Sequence, residues 1–320
     1  MDSVKVSFED SLAKEVVDAG KCPGCGACVV VCPFNCLEYS EEKPILARKC
    51  KVCGLCAQAC PQYEWSSPKI ERFVFGRERK PEEEFGVYRR LVIAQATDNQ
   101  ILNLCQDGGA VTALLLFALK EKIIDGAIVT VKEREKPFYP RPTLATKAEE
   151  ILQSAGSTYF YSPTILALTE AGKQKKSNIA FVGTPCQIRA IRKMQMTGLK
   201  KHVTQLKILI GLACSECFTY KGLMQDYMHE KLGIDLNSIK KINIKGKMLI
   251  KLNSKTLAIP LAEIKRYARQ NCNSCEDFSS ELADISAGGL GLENWSFIII
   301  RTEKGEELFY KAEKAGFIKK

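Results

Sequence analysis

The chain has 320 residues, of which 46% are hydrophobic and 26% charged, and its formal net charge is +10. This composition is typical of a globular protein with room for a small domain and one ordinary α/β domain, and no apolar run reaches the roughly 18 to 20 residues of a membrane span. The charge is compatible with nucleic acid or with a polyanionic small molecule, but no motif of mixed aromatic and basic residues favours nucleic acid. We therefore expect no membrane span and no nucleic-acid partner.

The N-terminus begins without a basic region followed by an apolar one, which argues against a secretory signal. The chain nevertheless contains 15 cysteines. Without secretion, so many cysteines indicate a reducing compartment and metal binding instead of disulfides. We expect a cytoplasmic protein.

After a leader and a short helix at 11–17, one cysteine pattern occurs twice between residues 22 and 60, with each cysteine repeated 28 positions later. A C-x₂-C-x₂-C run wraps three thiolates around a cubane iron–sulfur cluster, and the cysteine that precedes a proline reaches the other cluster of the pair. The spacing predicts two [4Fe-4S] clusters, one on Cys22, Cys25, Cys28 and Cys60 and the other on Cys50, Cys53, Cys56 and Cys32. A zinc or disulfide module is the alternative, but it leaves the third and fourth cysteines of each run unused.

Between the two copies, residues 36–39 and 44–47 fit the paired short strands of a bacterial-type ferredoxin, and Cys36 is expected in the core. We therefore predict a 2[4Fe-4S] ferredoxin domain at 1–65. Residues 66–88 are charged and rich in turns, with few groups that could fill a core. This segment is predicted to connect two domains.

From residue 89 the pattern changes to alternating strands and helices. A strand at 91–96, a helix at 110–122 and a strand region at 123–131 form a βαβ unit, which favours a parallel or mixed sheet. A hairpin near 240–259, a helix near 261–269, a glycine turn at 288–291, a strand at 295–301 and a terminal helix follow. The predicted fold is a ferredoxin domain fused to a larger α/β domain at 89–320.

Two further strands, at 179–183 and 206–213, lead into cysteine loops that carry Cys186 and Cys214. Ligands of open α/β sheets bind beyond the carboxyl ends of the strands, so both loops should lie at the same edge. Spacing alone leaves two metal sites open. One is a zinc knot on Cys214, Cys217, Cys272 and Cys275, and the other is a third cubane on Cys186, Cys214, Cys272 and Cys275.

From about residue 89 onward the chain resembles the coenzyme F420 hydrogenase/dehydrogenase beta-subunit family, with a ferredoxin domain fused in front. The blocks that carry the resemblance are 106–115, 156–163, 182–187, 211–216, 272–278 and 283–291. The resemblance implies a FAD-containing domain with a cluster of its own, whose usual cysteines fall on Cys186, Cys214, Cys272 and Cys275. It therefore favours the third cluster over zinc and leaves Cys217 as an extra thiol.

The same resemblance implies which residues form the flavin pocket. They are Gln106, Asp107, Gly108, Gly109, Thr112, Ser157, Tyr159, Thr184, Pro185, Gln187, Ser286, Gly288 and Gly289. The family usually has a lysine where this chain has Thr158, so an expected cation is missing. Candidates for attracting the anionic tail of F420 are Lys173, Lys175, Lys176, Lys200, Lys201 and Arg189.

The electron counts of these groups predict the function. A deazaflavin such as F420 exchanges a hydride, a cubane cluster exchanges single electrons, and FAD can stand between the two. We expect no catalytic acid or base, because such a transfer needs none, and we expect His202 and His229 at the surface. The prediction is an iron–sulfur flavoprotein that exchanges hydride with F420 through FAD and passes electrons to or from a partner complex.

The expected partners are the other subunits of a hydrogenase, a formate dehydrogenase, a heterodisulfide reductase or a membrane oxidoreductase, and any membrane contact would be peripheral, through such subunits. Two alternatives remain at this point. One keeps FAD and the clusters but uses ferredoxin or another substrate instead of F420. The other is a flavin-free adaptor of the ferredoxin type that only relays electrons.

Overall fold

The computed structural model describes residues 5–289, 291 and 293–320. At the N-terminal end, the helix Glu9–Val17 buries Leu12 and Val16 against the two cysteine runs. Each run leads into a short helix, Ala27–Val30 or Leu55–Ala59. Both helices start after a glycine in the left-handed region, Gly26 at φ 80° and Gly54 at φ 73°, a conformation that other residues adopt only with strain.

The strands β1 (Leu37–Ser40) and β2 (Lys43–Leu46) form an antiparallel hairpin between the two cysteine runs. The hairpin confirms the two short strands predicted between the cysteine runs, and the helix Glu9–Val17 confirms the helix predicted before them. Cys36 is buried beside the hairpin, where its thiol donates to the Lys49 carbonyl at 3.3 Å. It therefore has a structural partner of its own.

The segment 66–88 contains a helix, Ser67–Phe75, which the sequence reasoning did not predict. Ile70 on this helix is buried in the same core as the helix Pro185–Met196. Glu71 pairs with Arg79, which also pairs with Glu281 far along the chain. The segment is therefore packed onto the larger domain, because a few apolar side chains at helical spacing are enough to hold one face.

Within the described residues, the larger domain is built on an eight-stranded mixed sheet with the order β13-β3-β12-β11-β7-β6-β4-β5. Strands β4, β6, β7 and β11 are parallel, whereas β12 runs antiparallel to both β3 and β11. The predicted mixed sheet is confirmed. The strand bounds are Arg90–Ala96 (β3), Gly126–Lys132 (β4), Pro140–Ala145 (β5), Ile179–Gly183 (β6), Leu206–Leu212 (β7), Ile285–Gly288 (β11), Ser296–Ile300 (β12) and Ile318–Lys319 (β13).

Helices cover both faces of this sheet. The helices Ala110–Lys120 and Glu303–Lys314 pack into the core on one face. The helix Pro185–Met196 packs on the other face, in a core that also contains residues of the ferredoxin-like region, such as Val30 and Ala59. The two regions of the chain therefore share one hydrophobic core. Part of β3 is open to solvent, because Leu91 is 57% and Ile93 47% exposed. The predicted buried strand is therefore buried only over its last three residues, 94–96.

A second, antiparallel sheet contains β8 (Lys241–Ile244), β9 (Lys247–Lys251) and β10 (Thr256–Pro260), so the predicted hairpin has a third strand. It shares a core with the π-type helix Lys221–Lys231. The other α-helices are Asn99–Leu104, Ala148–Gln153, Leu168–Lys173, Lys200–Val203 and Leu261–Ile264. Short 3₁₀ turns occupy Thr164–Ala167, Leu236–Ser238, Lys265–Tyr267 and Gln270–Ser274.

Over the described ranges, no helix combines the length and the apolar character that crossing a bilayer requires.

Candidate functional site

The first cysteine set is buried where the ferredoxin-like region meets the larger domain. Burial raises the pKa of the Cys28 thiol well above its usual range, and the neighbouring thiols of Cys25, Cys60 and Cys22 raise it further. These thiols are therefore neighbours of Cys28, and the crossed ligation stays a prediction. Such a cluster of acidic groups is unfavourable without cations, and bound iron would reverse the effect on each thiol.

The second set has the same arrangement. Burial raises the pKa of Cys56 to about 12, and the thiols of Cys50, Cys53 and Cys32 add to this. Backbone N–H groups also point at the sulfurs, since Val52 and Phe8 each donate to Cys50 Sγ at 3.4 Å. N–H donors of this kind are among the features that tune an iron–sulfur cluster.

The third set lies at the carboxyl ends of β6 and β7, as the strand-end argument predicted. Cys186 is in the first turn of the helix Pro185–Met196. Burial raises its pKa to about 12, with smaller contributions from the thiols of Cys217, Cys275 and Cys272. Cys214 Sγ lies 3.7 Å from Cys217 Sγ. The structure therefore brings five sulfurs together, the four predicted ligands and Cys217.

The first and third sets are neighbours. The Cys186 thiol is close enough to Cys25 to raise the pKa of Cys25, and the fully buried Tyr161 has both thiols among its neighbours. Lys193 Nζ, on the helix that carries Cys186, donates to the Cys60 carbonyl at 2.8 Å. The first and second sets are also neighbours, because the Cys56 thiol of the second set helps to raise the pKa of Cys28 in the first. The three sets therefore form a series with the first set in the middle.

A cavity of about 530 Å³ opens in the larger domain between β4, β8 and the helices that follow β3 and β5. Gln106 and Ser157, both predicted, line this cavity, and so does Gly156. The Gln106 Nε2 atom is buried without a hydrogen-bond partner among the described residues, so it is available to a ligand.

Three lysines line the cavity, and the sequence reasoning did not find them: Lys132, Lys240 and Lys241. Burial, and then the charge of Lys241, lower the pKa of Lys132. The six basic residues proposed from the sequence are absent from the lining. Lys132 could have been found, because it ends β4, and ligands of α/β sheets bind at that end of the strands. It lies beside Gly156 and supplies a cation near the position where the expected lysine is replaced by Thr158.

Other predicted pocket residues are absent from the lining of the cavity. Gly108 lies so close to β3 that a Cβ added at this position would be 2.6 Å from the Ala94 carbonyl oxygen. Gly109, at φ +69°, is the N-cap of the helix Ala110–Lys120, in which Thr112 is buried. Tyr159 accepts from the Ile244 N–H at 3.2 Å. Asp107 lies against Gly289, and a Cβ added at Gly289 would be 2.3 Å from the Asp107 carboxylate. Burial raises the pKa of Asp107.

The remaining predicted residues lie nearer the third cysteine set and are engaged within the protein. The Gln187 amide donates to the Ser162 carbonyl and accepts from the Thr184 N–H, which caps the helix that begins at Pro185. Ser286 donates to the Ser280 carbonyl at 3.0 Å and accepts from Arg301. Gly288 is packed against Ala213 and Phe297, and the predicted turn at 288–291 includes Leu290, which lies outside the described residues. A flavin role for these residues stays a prediction.

Of the two histidines, His229 is exposed and His202 is half-buried. Burial and then the neighbouring Lys201 lower the pKa of His202. Neither lines the cavity.

Together, the fold and the cysteine sets define the class of protein: a mixed α/β redox protein with a [4Fe-4S] ferredoxin-like region at its N-terminal end. The chain belongs to the coenzyme F420 hydrogenase/dehydrogenase beta-subunit family, whose N-terminal model matches residues 91–169 and whose C-terminal model matches residues 176–320. A 4Fe-4S binding domain matches residues 15–38. The family predicted from the sequence is confirmed.

Two relatives illustrate the range of this family. The coenzyme F420 hydrogenase subunit beta of Methanothermobacter thermautotrophicus is 37% identical over 236 residues, which cover 72% of this chain and 83% of the relative. The coenzyme F420-dependent sulfite reductase of Methanocaldococcus jannaschii is 35% identical over 309 residues, which cover 92% of this chain and 46% of the relative. The second match extends into the ferredoxin-like region.

Among solved structures, a chain of the F420-reducing [NiFe] hydrogenase complex from Methanosarcina barkeri matches with a TM-score of 0.71 and 36% identity, covering 75% of this chain and 84% of that one. The relatives are thus F420-dependent oxidoreductases, and this one is part of a complex. The predicted enzyme class and the predicted kind of partner, the other subunits of a redox complex, are confirmed at the level of the family.

Proposed function

We propose that the chain is the electron-input subunit of a redox complex, which exchanges hydride with coenzyme F420 through FAD and moves single electrons along three [4Fe-4S] clusters. One observation carries this proposal: the third cysteine set, in the domain that matches the F420 family, adjoins the first set, and the first adjoins the second. A ferredoxin domain so placed extends the electron path away from the flavin domain.

The cavity supports an anionic cofactor. Its lysines, Lys132, Lys240 and Lys241, suit the pyrophosphate of FAD or the phosphate of F420, and the free amide of Gln106 suits a carbonyl or ring nitrogen. Its volume is within the range of about 300 to 1,000 Å³ that is usual for ligand sites. Bound FAD would take up the hydride of reduced F420 as two electrons and release them one at a time. The protein's own residues bind and orient the rings and exclude water.

The third cysteine set fits a cubane better than zinc. Within the described residues, no group of three or more His, Cys, Asp or Glu side chains is arranged to hold a single metal ion. A zinc ion binds sulfur at about 2.3 Å, so its four ligands must converge closely. The sulfurs of the alternative zinc knot, on Cys214, Cys217, Cys272 and Cys275, form no such group among the described residues, although Cys214 Sγ lies 3.7 Å from Cys217 Sγ. Cys186 also has Cys272 and Cys275 among its neighbours, which suits ligands that attach to different corners of one cluster.

Iron analysis tests the clusters. We expect about twelve irons per chain, and about eight after Cys272→Ser, because each cubane holds four. Cys217→Ser is the matched control and should retain about twelve. Zinc lost from Cys272→Ser at unchanged iron content would refute the third cluster, and iron lost from Cys217→Ser would assign Cys217 as a ligand.

Flavin absorbance and rapid mixing test the substrate. Purified protein should show oxidised flavin, and reduced F420 should bleach it whereas NADH should not. Bleaching by reduced ferredoxin but not by F420 would favour the alternative substrate. Protein that binds no flavin after reconstitution would instead be the ferredoxin-like adaptor.

A further inference from the structure

The second cysteine set is more exposed than the first. Cys32, Cys50 and Cys53 are half-buried, whereas Cys25 and two other ligands of the first set, Cys28 and Cys60, are buried. The crevice at the second set is lined only by residues between Phe8 and Cys56, with none from the larger domain. This end of the series therefore faces away from the flavin domain and is open to another molecule.

Two large apolar side chains stand exposed beside these sulfurs. Phe34 is 49% and Val52 44% exposed. Phe34 lines the same crevice as Cys53, and the Val52 N–H donates to Cys50 Sγ. Neither side chain belongs to the hydrophobic core that Phe8 and Leu37 help to form. Exposed apolar groups clustered at a redox site are typical of a contact surface.

The same surface carries a run of cations. Arg48, Lys49 and Lys51 are all exposed, and within the described chain none of them takes part in an ion pair. The segment 48–56, which carries these cations and three of the cysteines, contains no acidic residue. The free cations are therefore concentrated on the segment that supplies Cys50 and Cys53.

We propose that this exit face, made of Phe34, Arg48, Lys49, Lys51 and Val52, docks an acidic redox protein that carries its own one-electron centre. Charge complementarity selects the partner: carboxylates around its redox centre would pair with the three cations, while its apolar surface covers Phe34 and Val52. One electron would pass between the two proteins, one being oxidised and the other reduced, with no bond formed or broken. The inference rests on the proposed function, because it names the class of partner at the end of the cluster series.

Binding of a defined acidic probe tests the exit face. The probe is a small acidic 2[4Fe-4S] ferredoxin, and its affinity for the cluster-loaded full chain is measured by surface plasmon resonance over a range of salt concentrations. For the unmodified chain, affinity should fall as salt rises, since screening weakens exposed charge pairs. K49E/K51E should raise Kd at least about tenfold at low salt and flatten the salt dependence.

Two matched variants complete the test. K255E/K314E makes the same change in net charge at exposed positions outside the ferredoxin-like region, and its Kd should match that of the unmodified chain. F34A should weaken binding at high salt as well, where the charges are screened. Equal loss of affinity in K49E/K51E and K255E/K314E, or no loss in either, would overturn the exit face. Iron content confirms that each variant has assembled.

This binding measurement needs neither F420 nor flavin reduction. A chain that binds the probe through these residues but is not bleached by reduced F420 would refute the proposed substrate and support the exit face. A chain that is bleached by reduced F420 but does not bind the probe through these residues would support the proposed substrate and overturn the exit face.

Discussion

Asp284 is a buried carboxylate immediately before β11 whose contacts join β7, the helix Pro185–Met196 and the segment after β12, and its replacement should be strongly destabilising. Its Oδ1 accepts from Arg192 at 2.8 Å and from Thr302 at 2.9 Å, and its Oδ2 accepts from the Leu209 N–H at 2.7 Å. Lys304 Nζ lies 3.0 Å from Oδ2. These contacts tie the helix that carries Cys186 to β7, which leads to Cys214.

Asp284→Asn keeps the shape but removes the charge. One amide oxygen cannot replace two carboxylate oxygens, so at least one buried donor would face the amide NH₂ group. Arg192, which is buried, would also lose its counter-charge. Removing one partner of a buried pair costs about 3 to 5 kcal/mol, because the other charge remains buried and uncompensated.

The assay is anaerobic guanidinium unfolding followed by tryptophan fluorescence. Because bound clusters violate two-state behaviour, midpoints are compared instead of extrapolated free energies. The expected loss corresponds to a midpoint lower by roughly 0.5 to 2 M. Glu307→Gln is the control: it removes an exposed carboxylate that pairs with Lys311, and it should leave the midpoint unchanged. Equal midpoints for the two variants would refute the role assigned to Asp284.

The pH dependence gives a second check. Burial raises the pKa of Asp284, but Arg192 and Lys304 more than offset this, and the net pKa is below its usual value. A carboxylate with a lowered folded-state pKa stabilises the protein above its unfolded pKa of about 3.9 and loses that effect as the pH falls through the folded pKa. The difference between the unmodified chain and Asp284→Asn should therefore be constant above about pH 4 and shrink only below it.

Three further predictions concern the cavity and the loops around it. Lys132→Met should weaken binding of FAD or F420 in equilibrium dialysis, because the lysine lines the cavity. Thermal stability should be retained, because a methionine–aromatic contact can replace the contact of Lys132 with the Phe138 ring at 5.0 Å. Gly289→Ala should lower the thermal midpoint, since the new Cβ would lie 2.3 Å from the Asp107 carboxylate, and adding Asp107→Ala should restore it. Arg301→Lys should speed proteolysis of the 66–88 segment, because the guanidinium donates to the carbonyls of Phe85, at 2.8 Å, and of Val87, at 2.9 Å.

The ferredoxin-like region could be predicted almost element by element because its cysteine spacing is local. Each C-x₂-C-x₂-C run fixes a loop and a short helix, and the hairpin lies between them. The strands β6 and β7 were equally clear, since each is a short apolar run that ends in a turn. The helix Ser67–Phe75 was missed because its apolar residues, Ile70 and the run 73–75, are few and flanked by charges. Only contact with the larger domain places Ile70, Val74 and Phe75 in a core.

The cavity lysines could not be predicted together. Lys132 ends β4, whereas Lys240 and Lys241 lie at the start of the small sheet more than a hundred residues later, and only the tertiary structure brings them to Gly156. The same holds for Cys217. Its spacing to Cys214 is visible in the sequence, but its position beside four other sulfurs is not.

The order of the cysteine sets depends on one loop that serves two regions. Arg269 comes three residues before Cys272, and its guanidinium pairs with Glu42 on the ferredoxin-like hairpin at 3.1 Å and stacks on the Tyr161 ring at 4.2 Å. It also donates to the Cys22 carbonyl at 3.4 Å. Because this loop supplies part of the third set, any movement that separates the ferredoxin-like region must also break these contacts beside Cys272. Assembly of the third set and docking of the first set are therefore coupled, and the two halves of the proposed electron path form together.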